Sequence, residues 1–165
     1  MWVIKKSKVH GSGVFASKAI KKDTKIIEYI GKKISRKEGD KRSAKRIKKY
    51  LNSEIDGSVY IFELNKNFDI DGSPKYNKAR YINHSCNPNC EVEIDKGKIW
   101  IKSIRNIKKN EELNYDYGYD FDQEDYTDHI CRCGSKKCIG YIISQDQWIK
   151  YRKYLMKKIK KLSLK

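Results

Sequence analysis

Three of the five cysteines stand close together late in the chain. Cys131, Cys133 and Cys138 form C-x-C-x-x-x-x-C, with Gly134 letting the backbone bend back. Thiolates at that spacing suit a tetrahedral zinc ion, and a closed structural site needs four ligands. The fourth must come from elsewhere, from Cys86, Cys90 or His129, and spacing alone does not choose among them. Two of these candidates sit in "ARYINHSCNPNC" (79–90), which also crowds Asn83, His84, Ser85, Asn87 and Asn89 around one proline. If Cys86 is the ligand, the metal ties the tail to a loop 45 residues upstream.

Metal, rather than disulfides, follows from the compartment. The N-terminal "MWVIKKSKVHG" lacks a signal-peptide core, and no run approaches the roughly 18 apolar residues that would span a bilayer. An intracellular protein with no membrane partner is expected, and there clustered cysteines hold metal.

The elements that must position these residues are short. "WVIKKSKVHGSGVFASKAI" reads as strands around a Gly11-Ser12-Gly13 turn, and "KIIEYIGKKI" (25–34) as a strand pair broken at Gly31. The strand pattern lapses over 35–53, where a short basic helix is expected from Arg42 onward with Ser43 as its cap. "SVYIFELN" and "NFDIDG" return to strand, and "CEVEIDKGKIWIKSIRNI" alternates about a Lys96-Gly97 turn, a hairpin signal. A helix closes the chain, with Trp148, Leu155, Ile159 and Leu162 near one face and basic residues around the rest. The chain of 165 residues is thus expected to be one mostly β body with minor α.

A formal charge of +17 favours a polyanionic neighbour, although solubility and a Lys-rich codon bias account for it equally well. The sign reverses locally. Asp116, Asp120, Asp122, Glu124, Asp125 and Asp128 precede the cysteine knuckle.

With both cysteine groups in view, the chain resembles the SET-domain protein lysine methyltransferases that carry a post-SET zinc knuckle. "HGSGVFA" (10–16) looks like the family's glycine-rich cofactor turn, and "EYIG" (28–31) like the strand lining its lysine channel. "ARYINHSCNPNC" matches the central signature, "EELNYDYGYD" (111–120) the tyrosine signature, and "CRCGSKKCIG" (131–140) the post-SET pattern. The ordered set covers about residues 8–143 and is far more specific than any one segment.

The resemblance implies a SET fold of small curved β-sheets with a pseudoknot, a rare connection, plus a C-terminal zinc knuckle and helix. It divides the chain into a SET domain at 1–120 with a basic insert at 35–57, a post-SET segment at 121–143 and a basic helix at 144–165. It implies S-adenosylmethionine as cofactor, held by Asn83, His84 and the Gly11-Ser12-Gly13 turn, with Tyr60 and Arg80 as further candidates. Tyr117 is expected at the methyl-transfer centre and Tyr29 as a channel wall. Tyr115, where the family carries Phe or Tyr, is expected to limit the product to mono- with some dimethylation. Zinc falls to Cys86, Cys131, Cys133 and Cys138, leaving Cys90 a packed free thiol.

Those residue types suit the chemistry. Transfer of a methyl group from a sulfonium to an amine is an in-line displacement, and the nitrogen must be neutral, whereas lysine has a reference pKa of about 10.4. A dry aromatic channel beside a cation favours the neutral amine by desolvation and like-charge repulsion. Alignment supplies much of the remaining acceleration.

The implied substrate is a histone tail or another lysine-rich protein, drawn to the acidic stretch at one wall of the groove. The basic insert and C-terminal helix suit nucleosomal DNA, so a nuclear or chromatin location follows. Rival readings are a non-histone basic substrate and a zinc-stabilised chromatin-binding module without activity. About nine residues precede the glycine turn, as in small stand-alone viral and microbial members, and a homodimer is left open as a stabilising substitute for the missing pre-SET module. Lys32, Tyr76 and Asn114 depart from the common pattern, none at a proposed catalytic group.

Overall fold

The computed structural model describes residues 1–51 and 59–163. In chain order the strands are β1 (Trp2–Lys6), β2 (Ser12–Ala16), β3 (Lys25–Tyr29) and β4 (Lys32–Ser35), followed by helix α1 (Arg36–Leu51). Then come β5 (Ile61–Glu63), β6 (Phe68–Asp71), β7 (Asn83–His84), β8 (Cys90–Asp95), β9 (Lys98–Ser103), β10 (Asn114–Tyr115) and helix α2 (Trp148–Leu162). They form four small sheets: β1-β2, β3-β9-β8, β4-β6-β5 and the parallel pair β7-β10. The mostly β expectation holds.

Local chemistry explains the best-defined hairpin. Lys96 (φ 49°) and Gly97 (φ 74°) both take left-handed backbone, as a two-residue I′ turn requires. β8 and β9 therefore pair with Asp95 opposite Lys98. Along β9, Ile99, Ile101 and Ser103 point inward and alternate with exposed or half-buried residues. Ile99 and Ile101 join Val14, Ile82, Ile107 and Leu113 in the main core, each fully buried aliphatic contributing about 1.5–3 kcal/mol.

The decisive connection for function is the parallel pairing of β7 with β10, Asn83 opposite Asn114 and His84 opposite Tyr115. It brings the two signature segments together, as the expected pseudoknot requires. Asn89 reinforces it: its amide N–H donates to Asn114 Oδ1 at 3.1 Å, and Asn114 returns its own N–H to Asn89 Oδ1 at 2.9 Å.

Three expectations need correction. The run 25–34 holds two strands that do not pair with each other: β3 lies on β9 and β4 on β6. Helix α1 begins at Arg36, six residues before the expected start, and Ser43 lies inside it. Its cap is Ser35, whose Oγ accepts the Glu38 N–H at 3.3 Å, half of a Ser-x-x-Glu capping box. Gly39, which argues against a helix by about 1 kcal/mol, is there because a Cβ would collide with the Asp69 carboxylate. Finally, α2 buries Tyr151 with Trp148, Tyr154 and Leu155 around it, against Phe121, Tyr126 and Ile143, while Ile159 is exposed. The face rotates because five aromatic rings of this cluster stack edge-on or tilted, Tyr126 within 4.9 Å of Tyr141 and Phe121 within 5.4 Å of Tyr151. Residues 52–57 of the basic insert, Ser58, the Leu162 side chain and residues 164–165 lie outside the described residues.

Candidate active site

The geometry of the cysteines answers the question spacing left open. Sγ atoms of Cys86, Cys131, Cys133 and Cys138 all lie within 4.8 Å of one another. Cys86 Sγ is 3.7 Å from Cys131 Sγ and 3.9 Å from Cys138 Sγ. Zinc–sulfur bonds of about 2.3 Å at tetrahedral angles place sulfurs about 3.8 Å apart, so the donor set fits zinc. Cys90 instead sits in the main core with its thiol on Asn89 Oδ1 at 3.3 Å, and His129 turns its ring edge to Tyr119, centroids 5.1 Å apart. The hydrogen bond with Cys131 outweighs desolvation and, aided by one with His84, holds the Cys86 thiol well below its ordinary value.

His84 joins this centre to the tyrosine strand. Its Nδ1 accepts the Tyr117 N–H at 3.2 Å, which places the ring proton on Nε2, 3.6 Å from Cys86 Sγ. Both ring nitrogens are thereby engaged inside the protein, leaving only the His84 backbone to reach a ligand.

Beside the cluster opens a cavity of about 530 Å³. Gly11, Ser12, Asn83, His84 and Arg80 line it, as do Tyr29, Tyr60, Tyr115 and Tyr117. Gly13 is the one proposed cofactor residue absent from its wall. Cys131 and Cys133 form part of the boundary, so the four-cysteine cluster shapes the cavity directly.

The tyrosines present their oxygens in two ways. Tyr29 donates its hydroxyl proton to Tyr60 O at 3.0 Å, and Tyr117 donates to Ile82 O at 3.1 Å. A phenol whose proton is committed to a carbonyl keeps its lone pairs for an incoming N–H. The Tyr115 hydroxyl has no partner among the described residues. Burial, first among the causes, pushes all three above the ordinary tyrosine range. They remain neutral phenols.

At the other end, the Asn83 amide nitrogen donates to Glu112 Oε1 at 2.8 Å, to Ser12 O at 3.2 Å and to His10 O at 3.4 Å. Three acceptors fix the amide's orientation, so Oδ1, without a protein donor, is left for the cavity. Arg80 packs its guanidinium 4.0 Å over the Tyr60 ring and donates to Ser73 O, with Nε buried and unpaired.

A family model described as SET domain matches residues 11–118. The chain belongs to the SET-domain family. It is 40% identical over 142 residues to a "Histone-lysine N-methyltransferase, H3 lysine-4 specific" of Neurospora crassa. Proteins of the same description match from Aspergillus oryzae, 37% identical over 141 residues, and from Saccharomyces cerevisiae, 36% identical over 141 residues. Each match covers 83% of this chain but only 10–13% of the relative, so the chain spans about a tenth of their length.

This SET domain's cavity also has residues that sequence reasoning passed over. Tyr119 and His129 pack as a T-shaped pair on its wall; the continued Y-x-Y-x-Y alternation could have flagged Tyr119. Of the six acids before the knuckle, only Asp125 and Asp128 reach the cavity. Asp116 accepts the Gln145 N–H, and Asp120 the Gln147 side-chain amide, so both brace the approach to α2.

The SET core sets an alkaline limit. Burial raises the Cys90 thiol from its ordinary 9.0 to about 12. In that window the unfolded state has released a proton that the folded state retains, so stability falls as pH rises, by about 4 kcal/mol at the upper end. The buried tyrosines add in the same direction above pH 10. Melting temperatures measured from pH 8 to 11 should decline, with a shallower slope in Cys90→Ala; an identical slope in that variant contradicts the assignment.

Proposed function

We propose that this chain is an S-adenosylmethionine-dependent protein-lysine N-methyltransferase acting on a histone tail, with lysine 4 of histone H3 the favoured target. The carrying observation is the single cavity in which three tyrosine rings meet Asn83 and the glycine turn. The target follows from the H3 lysine-4 specificity in the relatives' names. S-adenosylmethionine, when bound, supplies a methyl group on a sulfonium. Asn83 Oδ1 and the Gly11–Ser12 backbone would hold it.

The chain's own contribution is to prepare the lysine. Tyr29, Tyr115 and Tyr117 surround the amine with rings, excluding water and lowering the lysine pKa below its usual value of about 10.4. The Tyr29 and Tyr117 oxygens accept its N–H bonds and aim the lone pair. Asp125 and Asp128 attract a basic tail at the rim.

Tyr115 restricts the product. Its unpartnered hydroxyl can hold a water in the space an added methyl needs, so monomethyl-lysine is favoured. Mass spectrometry of a methylated H3 peptide should show mostly monomethyl product from the wild type and a shift to di- and trimethyl product in Tyr115→Phe. Abundant trimethylation by the wild type would end that assignment.

Exposed Lys37, Lys41, Lys45, Lys48 and Lys49 of α1, and the basic residues of α2, suit nucleosomal DNA. Arg36 and Arg42 are already engaged, with Glu63 and Asp69 and with Glu38 and Asp71. The test is transfer of a labelled methyl group to recombinant nucleosomes and to free H3, at low and moderate salt. Labelled H3, lost when lysine 4 is changed to arginine, is the expected result, with a nucleosome preference that fades with salt. Labelling of other basic proteins alone would point to a non-histone substrate. Cofactor binding with no transfer would favour an inactive chromatin module.

A further inference from the structure

Glu112 does something that neither its motif nor the tyrosines require. Its backbone bridges to Phe15 of β2, flanked by hydrogen bonds from Leu113 N to Val14 O at 2.7 Å and from Ala16 N to Glu111 O at 2.9 Å. That edge pairing holds the half-buried carboxylate under the glycine turn. Ser7 Oγ donates to its two oxygens, at 2.7 and 3.0 Å, and Asn83 Nδ2 donates to Oε1 at 2.8 Å. A Cβ on Gly13 would collide with Oε1. Gly13 therefore makes room for Glu112, which explains why a glycine stands there although it does not line the cavity.

The charge is the second part of the observation. Neighbouring Glu111 pairs with Arg105 at 2.5 Å. Among the described residues, no Lys or Arg pairs with Glu112, whose side-chain partners are a hydroxyl and an amide. A partly buried carboxylate without a cation is costly unless something compensates it. Here it lies directly behind the amide whose oxygen faces a cavity expected to receive a cationic ligand.

We infer that Glu112 is a positioning residue for the cofactor: it locks the Asn83 amide with nitrogen inward and oxygen toward the cavity. This rests on the cofactor assignment above. The glycine turn, Asn83 and the tyrosine segment thus form one unit, hinged on a carboxylate outside the cavity.

Calorimetric binding of S-adenosylhomocysteine to the zinc-loaded protein tests it, with melting temperature recorded alongside. Glu112→Ala should weaken binding about tenfold. Glu112→Gln, whose amide oxygen still accepts from Asn83, should recover most of that loss. Adding Glu112→Ala to Asn83→Ala should cost nothing further, because both act through one amide. A purely structural Glu112 would lower the melting temperature while its effect multiplied with that of Asn83→Ala, and that outcome overturns the inference. So does wild-type affinity in Glu112→Ala. Should Glu112→Ala fail to fold, Glu112→Asp keeps the charge but withdraws it from both partners: weakened binding at an unchanged melting temperature supports the role, and unchanged binding refutes it. A wild type that binds no S-adenosylhomocysteine removes the cofactor assignment and this role together, whereas a binding wild type with indifferent variants removes this role alone.

Discussion

Cys133→Ser is expected to leave the protein short of zinc and its C-terminal third unfolded, while the sheets survive. The reason lies in how unequally the two cores are built. The main core gathers fifteen buried residues from all parts of the first 115. The second has four buried residues, Phe121, Tyr126, Ile143 and Tyr151, with five partly buried neighbours. Apparent binding free energies of structural zinc in small domains run about 10–16 kcal/mol, comparable to the whole stability of a domain. A cluster of four side chains does not replace that, whereas the main core does not depend on it. Metal analysis should give well under one zinc per chain, and hydrogen exchange should be fast across 121–163 yet slow in β3, β8 and β9. Because Cys131 and Cys133 bound the cavity, cofactor affinity should fall with the metal. Full zinc content with native protection in Cys133→Ser would overturn the four-cysteine centre.

Tyr117→Phe should act on rate alone. The substitution keeps a ring that packs 5.1 Å from Tyr115 and 5.4 Å from His84, and it keeps the backbone N–H that His84 accepts. What disappears is one oxygen, the donor to Ile82 O and the proposed acceptor for the substrate amine. The folded state and the glycine-turn end of the cavity are therefore left intact. Loss of alignment at the reacting nitrogen costs about a hundredfold in methyl transfer, close to 3 kcal/mol in barrier height. Single-turnover labelling of H3 peptide, with cofactor affinity measured in parallel, reads both quantities. A rate within about threefold of wild type would assign the hydroxyl a packing role only.

Features that a short window encodes were legible beforehand. The Lys96-Gly97 hairpin follows from backbone preferences of two residues, and "NHSC" and "NYDY" each supply two residues of the cavity wall, Asn83 and His84, Tyr115 and Tyr117. What escaped depends on partners distant in the chain. Spacing alone leaves Cys86, Cys90 and His129 open, and only the family resemblance points to Cys86, because the choice is made by the meeting of segments 45 residues apart. Helix α1 starts early because its glycine yields to Asp69 and its arginines reach Asp69 and Asp71 on β6, contacts that propensity does not register. The buried face of α2 follows aromatic stacking rather than aliphatic spacing, so Tyr151 displaces Ile159. Glu112 reads in sequence as one more acid before the tyrosines; only the fold shows Ser7 and Asn83 converging on it.

The span of the metal centre also orders events while the chain is being made. Cys86 emerges 52 residues before Cys138, and by the time Tyr117 follows, every strand of the four sheets is present. The sheets can thus assemble with the tyrosines in register but with one side of the cavity open. The side bearing Cys131 and Cys133 arrives last, and on the proposed zinc assignment metal capture would be the step that closes it. A nascent chain would then be unfinished at the proposed reaction site, and zinc supply would set the moment of its completion.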